Sequence, residues 1–116
     1  MGEAETLKVT GKRHLGVYQA KGLWDDPDQV SSAQRHFCKR CGSALYLFDP
    51  SWPQWVYPHA SAIDTPLPAP KERAHILLDS KPEWVCVPRG KTETCFSDYP
   101  EESIEAWHAA RNLQED

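Results

Sequence analysis

Phe37-Cys38-Lys39-Arg40-Cys41-Gly42-Ser43-Ala44-Leu45-Tyr46-Leu47-Phe48 is the stretch on which the reading of this chain turns. Two cysteines separated by two residues can reach one tetrahedral ion, with each sulfur about 2.3 Å from it. Gly42 follows directly, and glycine takes without steric cost the positive φ that turns backbone N–H groups toward such sulfurs. Lys39 and Arg40 put positive charge beside the thiols, which favours thiolate. Ser43 to Phe48 reads as a strand. A redox Cys-x-x-Cys is the competing chemistry, but that motif normally opens a helix after a strand, and here a glycine and a β-like run follow. A pair of unligated thiols is the remaining reading. Cys38 and Cys41 are therefore the candidate metal ligands, and they make a partial zinc site, because structural zinc takes four ligands.

The other cysteines and the histidines carry less. Cys86 sits in Val85-Cys86-Val87, which alternates like a strand, and is expected as a small buried hydrophobe. Cys95 lies in a polar stretch and is expected as a surface or half-buried thiol. His36, two residues before Cys38, reads as a polar strand position that could add a ligand. His14 and His108 read as ordinary surface positions. His59, His75 and Trp84 are expected to be packing residues; a tryptophan in a strand of a small β domain usually buries its ring and bonds its N–H. Arg35, Lys39 and Arg40 form the local basic cluster, read as a solvated face.

Outward from the knuckle, the chain is punctuated by ten prolines, which are hard to place in helices or central strands. A β-rich, loop-rich fold follows. Residues 6–10 alternate apolar and polar and predict a strand. A turn at Gly11-Lys12 and a second strand over 14–18 would complete a hairpin. Residues 21–34 predict a loop or hairpin tip, with Trp24 as a packing anchor. Residues 49–53 read as a turn and 55–61 as a strand whose Pro58 implies an edge or bulge. Residues 65–70 read as a stiff polyproline-like connector. Residues 75–78 and 83–87 predict two more strands. The one helix is expected over 100–113, capped by Asp98 or Tyr99, with Pro100, Glu101 and Glu102 in its first turn. Ile104, Trp107 and Leu113 lie near one face of it.

The 116 residues suit one small domain. Net charge is −4 with the thirteen Lys and Arg scattered, which argues against a nucleic-acid footprint. No stretch approaches the ~20 apolar residues of a membrane span. Met1 to Thr6 has neither a basic nor an apolar signal region. A cytoplasmic location is expected, where thiols are kept reduced.

Taken in order, these segments resemble the glutathione-dependent formaldehyde-activating family, which also includes centromere protein V. Phe37-Cys38-x-x-Cys41-Gly42-Ser43-x-Leu45 is similar to the family's second zinc knuckle. Leu7 to Gly11 resembles the strand that leads to a segment here reaching Tyr18. Ala60-Ser61-Ala62-Ile63-Asp64 resembles the small-residue strand after the knuckle, and His75-Ile76 with Lys81-Pro82-Glu83-Trp84-Val85 resembles the family tail.

The resemblance implies a mainly β, zinc-associated β-tent fold with a short C-terminal helix, spanning 1–116 as a single domain. It implies a carbon–sulfur lyase that combines formaldehyde with glutathione to give S-hydroxymethylglutathione. In the family a structural zinc is held by an early Cys-x-Cys and the late Cys-x-x-Cys, onto which Cys38 and Cys41 fall. A second zinc on a Cys-x-Cys-x-x-Cys run would polarise the aldehyde. Neither earlier pattern occurs in this sequence. The expectation is thus a family domain truncated before its N-terminal zinc ligands, with no assignable catalytic residue and an exposed sheet edge open to another chain. Glutathione or a small thiol adduct is the implied partner. The alternative is a non-catalytic zinc-binding or scaffold module, in which two chains share one zinc held by four cysteines on a two-fold axis. A fragment with neither metal nor activity is the third reading.

Overall fold

The computed structural model describes residues 1–22 and 26–113; the anchor expected at Trp24 lies outside them. The chain gathers into two compact units, Met1–Leu67 and Pro68–Asp116. Its described residues are mainly β, with one antiparallel sheet, a two-stranded pair and one short helix.

The first unit is built on five strands: β1 (Gly2–Glu3), β2 (Leu15–Tyr18), β3 (Gln34–Cys38), β4 (Ala44–Phe48) and β5 (Trp55–Pro58). Their order in the sheet is β1-β5-β4-β3-β2, and every neighbouring pair is antiparallel. The β2–β3 hairpin continues past its strands through a Lys21–Val30 bridge, as the hairpin reading of 21–34 anticipates. Between β3 and β4 the pairing runs His36 to Tyr46 and then Phe37 to Ala44. Leu45 is therefore the extra residue of a β-bulge, a device that locally bends and re-aims a strand. Pro58 pairs with Tyr46 on β4, whereas β1 reaches β5 at Val56 and Trp55. Its missing N–H thus falls where β5 has no second neighbour among the described residues, the position proline requires.

Three expectations fail or are cut short in this unit. No strand forms over 6–10: Ala4–Thr6 is a turn of 3-10 helix, and the Leu7 N–H bonds the Ala4 carbonyl. Alternation alone does not make a strand without a ladder to join, and Gly2–Glu3 takes the place beside β5. Gly11, at φ 68, opens a 3-10 turn over Lys12–His14 rather than a hairpin, so β2 pairs with β3. Ala60–Ala62 is also 3-10, ending the strand expected over 55–61 at Pro58.

Val56, at 3% exposure, is the buried hydrophobic side chain among the described residues. The sheet's other apolar side chains are half-buried or exposed, including Val17 and Tyr18 on β2.

The second unit pairs β6 (Arg73–His75) with β7 (Glu93–Cys95) in parallel, and carries α1 (Ile104–Ala109). Ile76 and Phe96, beyond the ends of these strands, line with Ile104 and Trp107 a hollow of about 510 Å³. The helix starts later than expected. Ser103, not Asp98 or Tyr99, is its N-cap, and the Ser103 Oγ accepts from the Ala106 N–H at 3.0 Å. Pro100, Glu101 and Glu102 precede it. A hydroxyl that satisfies an orphan N–H decides the start more strongly than acidic residues nearby. Ser103→Ala is expected to cost about 1 kcal/mol, read as a lower unfolding midpoint and faster hydrogen exchange at the Ala106 amide.

The strand expected over 75–78 ends at His75, because Leu77 turns left-handed at φ 57 and a 3-10 turn follows. The strand expected over 83–87 does not form; the Val85 N–H closes a turn onto the Pro82 carbonyl. Without a ladder its alternation buries nothing. Cys86 is exposed rather than buried, and Trp84, 81% exposed, is not a packing residue. His59 is exposed as well.

Candidate metal-binding knuckle

Cys38 ends β3 and Cys41 lies in the turn before β4. The Gly42 N–H donates to the Cys38 carbonyl at 2.7 Å, and the Cys38 N–H donates to the Ser43 carbonyl at 2.9 Å. Gly42 sits at φ 76, the left-handed conformation expected of the glycine after the second cysteine. A further bond, from the Lys39 N–H to the His14 carbonyl at 2.7 Å, ties the turn to the chain leading into β2. The knuckle is therefore held by backbone bonds on both sides. It runs directly into β4, with no helix after it, so the setting of a redox Cys-x-x-Cys is missing here. Both thiols are free; Cys38 is half-buried and Cys41 exposed.

The Ser43 hydroxyl, 3.3 Å from the Cys41 sulfur, is the leading reason that the Cys41 thiol is held below its ordinary value. The Ser43 backbone and the Cys38 side chain act in the same direction, and the Arg40 charge contributes least. The positive charges expected to favour thiolate are thus secondary to hydrogen bonding. Ser43 is a partner of Cys41 that charge reading misses; its signal was a hydroxyl immediately after the glycine.

Two thiols at this spacing supply at most half of a tetrahedral sulfur set. Among the described residues, no group of three or more His, Cys, Asp or Glu side chains forms. His36 is not drawn in as a donor. Its ring stacks on Tyr46, its β4 pairing partner, with centroids 4.2 Å apart and planes 12° from parallel. His36 Nδ1 lies 3.1 Å from the Gln34 carbonyl, so Nδ1–H donates and the lone pair sits on Nε2. His36 and Tyr46 line a hollow of about 480 Å³ with Leu7, Phe48 and Val56. Burial raises the Tyr46 hydroxyl above its usual value.

A second cluster lies in the other unit. Glu93, its side chain 6% exposed, accepts from Arg73, and its Oε2 lies 2.8 Å from His75 Nε2. His75 is therefore a hydrogen-bond partner of Glu93 as well as a half-buried residue. Hydrogen bonds first from Arg73 and then from His75 hold the Glu93 carboxyl at about 2, from an ordinary 4.5. A depressed carboxylate contributes stability that is complete above pH 4.5 and lost as pH falls from 4.5 through about 2. The unfolding midpoint of the wild type should thus lose its advantage over Glu93→Gln across that window. A Glu93 carboxyl found by NMR to titrate near 4.5 would contradict the pairing.

The fold and the knuckle define a class: a small, mainly β protein with a free-thiol Cys-x-x-Cys-Gly turn between adjacent antiparallel strands. The chain is 49% identical over 116 residues to the "Putative glutathione-dependent formaldehyde-activating enzyme" of Halomonas elongata, a match covering 98% of this chain and 70% of that protein. This chain belongs to the glutathione-dependent formaldehyde-activating family. No family model matches it, and no solved structure does. Among the described residues, no helix is long and apolar enough to cross a membrane.

Proposed function

We propose that this chain is a zinc-binding member of its family that acts on glutathione and formaldehyde, with Cys38 and Cys41 as metal ligands in a β-tent fold. The observation that carries the reading is the knuckle: two free thiols on a turn fixed by Gly42, with the Cys41 thiol biased toward thiolate. The relative's printed name supplies the substrates. In the reaction, the glutathione sulfur bonds to the formaldehyde carbon and the thiol proton passes to the oxygen. Zinc, when bound, would supply Lewis acidity or hold structure. The chain's own part is to present two sulfurs in fixed geometry and to keep Cys41 hydrogen-bonded through Ser43.

The test has two measurements on the purified chain: zinc per chain, and formaldehyde-dependent loss of the glutathione thiol. Bound zinc with thiol loss above the uncatalysed rate supports the enzyme; bound zinc without thiol loss removes it. The second reading, a non-catalytic module in which two copies share one four-cysteine site, is favoured by a specific observation: the thiols gather no third donor among the described residues. The end strand β2 of the sheet, with Val17 and Tyr18 exposed, offers an edge for pairing. Sharing requires half a zinc per chain and a dimer that a chelator dissociates. We place the protein in the cytoplasm, where four thiols would stay reduced; fractionation of cells expressing it checks this.

A further inference from the structure

One face of the five-stranded sheet carries the hollow of about 480 Å³, and strand register builds it. His36 pairs with Tyr46 across β3 and β4, and Phe48 pairs with Val56 across β4 and β5. Paired residues share a face, as do residues two apart along a strand. All four line the hollow, and Val56, at 3% exposure, is the most buried of them. The chain around the 3-10 turn over Ala4–Thr6 adds Ala4 and Leu7 to the lining. That turn is fixed to the sheet, because the Ala4 N–H donates to the Gln54 carbonyl at 2.8 Å.

His36 Nδ1–H is committed to the Gln34 carbonyl, so in the neutral ring Nε2 is an acceptor. Neither Nε2 nor the Tyr46 hydroxyl makes a hydrogen bond among the described residues. The stacked rings, with centroids 4.2 Å apart, hold both groups in place. Burial already withdraws the Tyr46 hydroxyl from water. A mostly apolar hollow of this size with a few fixed polar groups has the make-up of a small-molecule site. No Lys or Arg lines it, whereas Glu5 does, so an anion finds no cation there.

We propose that this hollow binds a small neutral molecule with an apolar body and a hydroxyl group, the hydroxyl donating to His36 Nε2 and accepting from the Tyr46 O–H. The apolar body lies against Leu7, Phe48 and Val56. Glutathione carries carboxylates and is not such a ligand. The inference is therefore independent of the proposed reaction and of any metal at the knuckle.

Three probes on the full chain test it: naphthol, its methyl ether, which cannot donate a hydrogen bond, and naphthoate, an anion of similar shape. Each is titrated while backbone amide shifts are followed by NMR. Naphthol is expected to shift the Tyr46, Phe48 and Val56 amides saturably. The ether should bind about tenfold more weakly, the loss that goes with an acceptor left unpaired, and naphthoate more weakly than naphthol. His36→Phe keeps a ring for the stack and removes Nε2. It is expected to bring naphthol down to the affinity of the ether and to leave the ether where it is. Equal affinities of the wild type for naphthol and the ether would overturn the proposal, and that comparison needs no variant to fold. Naphthoate binding as tightly as naphthol would overturn it too. So would the absence of saturable binding, or shifts confined to the second unit around Trp107, whose hollow is likewise apolar.

Discussion

Cys38→Ser and Cys41→Ser are each expected to bring zinc in the purified chain from its wild-type stoichiometry to background by elemental mass spectrometry. The proposed site draws two sulfurs from this chain, so losing either halves what it contributes. A serine hydroxyl stays protonated at neutral pH and does not replace a thiolate, the species that binds metal. Binding energy in such sites is also folding energy. Added zinc should therefore raise the unfolding midpoint of the wild type and leave both variants where they are. Cys86→Ser, which touches an exposed thiol outside the knuckle, should behave as wild type. Ser43→Ala should weaken zinc affinity about tenfold, as loss of a group that supports a ligand does. Wild-type zinc content in either Cys38→Ser or Cys41→Ser would exclude these sulfurs as ligands.

Gly16→Ala is expected to destabilise the first unit by about 1–3 kcal/mol, the range for forcing extra atoms into a packed site. Gly16 pairs with Phe37 across β2 and β3. A Cβ there would lie 2.5 Å from the Phe37 ring, with two more ring carbons at 2.9 Å. The Gly16 backbone is not in a left-handed conformation, so the cost is steric rather than conformational. The ring must move, and Phe37 immediately precedes Cys38 beside the Leu45 bulge. The substitution should therefore lower both the unfolding midpoint and the affinity for zinc. Phe37→Leu in the same chain should recover part of the loss, giving a favourable coupling in a double-mutant cycle. An unchanged midpoint in Gly16→Ala would mean that the ring yields freely.

The knuckle was legible because its information is local. Spacing, the glycine after Cys41 and the apolar run Ala44 to Phe48 lie within a dozen consecutive residues, and the turn's own bonds, Gly42 to Cys38 and Cys38 to Ser43, close within that window. Pro58 was legible for the same kind of reason, since a missing N–H limits where it can sit. Alternation misled over 6–10 and 83–87, because period two marks a side-chain pattern and not the presence of a neighbouring strand. Trp84 and Cys86 follow from that: with no ladder to pin the segment, neither is buried.

What the sequence determined by itself was the mainly β character, the Cys38–Cys41 turn and the family, all carried by short-range pattern. Tertiary structure alone decided that Gly2–Glu3 pairs with β5 and that Glu93 meets Arg73 and His75. Each of these is a contact chosen among many possible partners. Arg73 and Glu93 come together through the parallel pairing of β6 and β7 across an intervening turn region. Nothing in either segment specifies the other; the register of the paired strands, set by closing backbone hydrogen bonds over a long connection, brings them to one face.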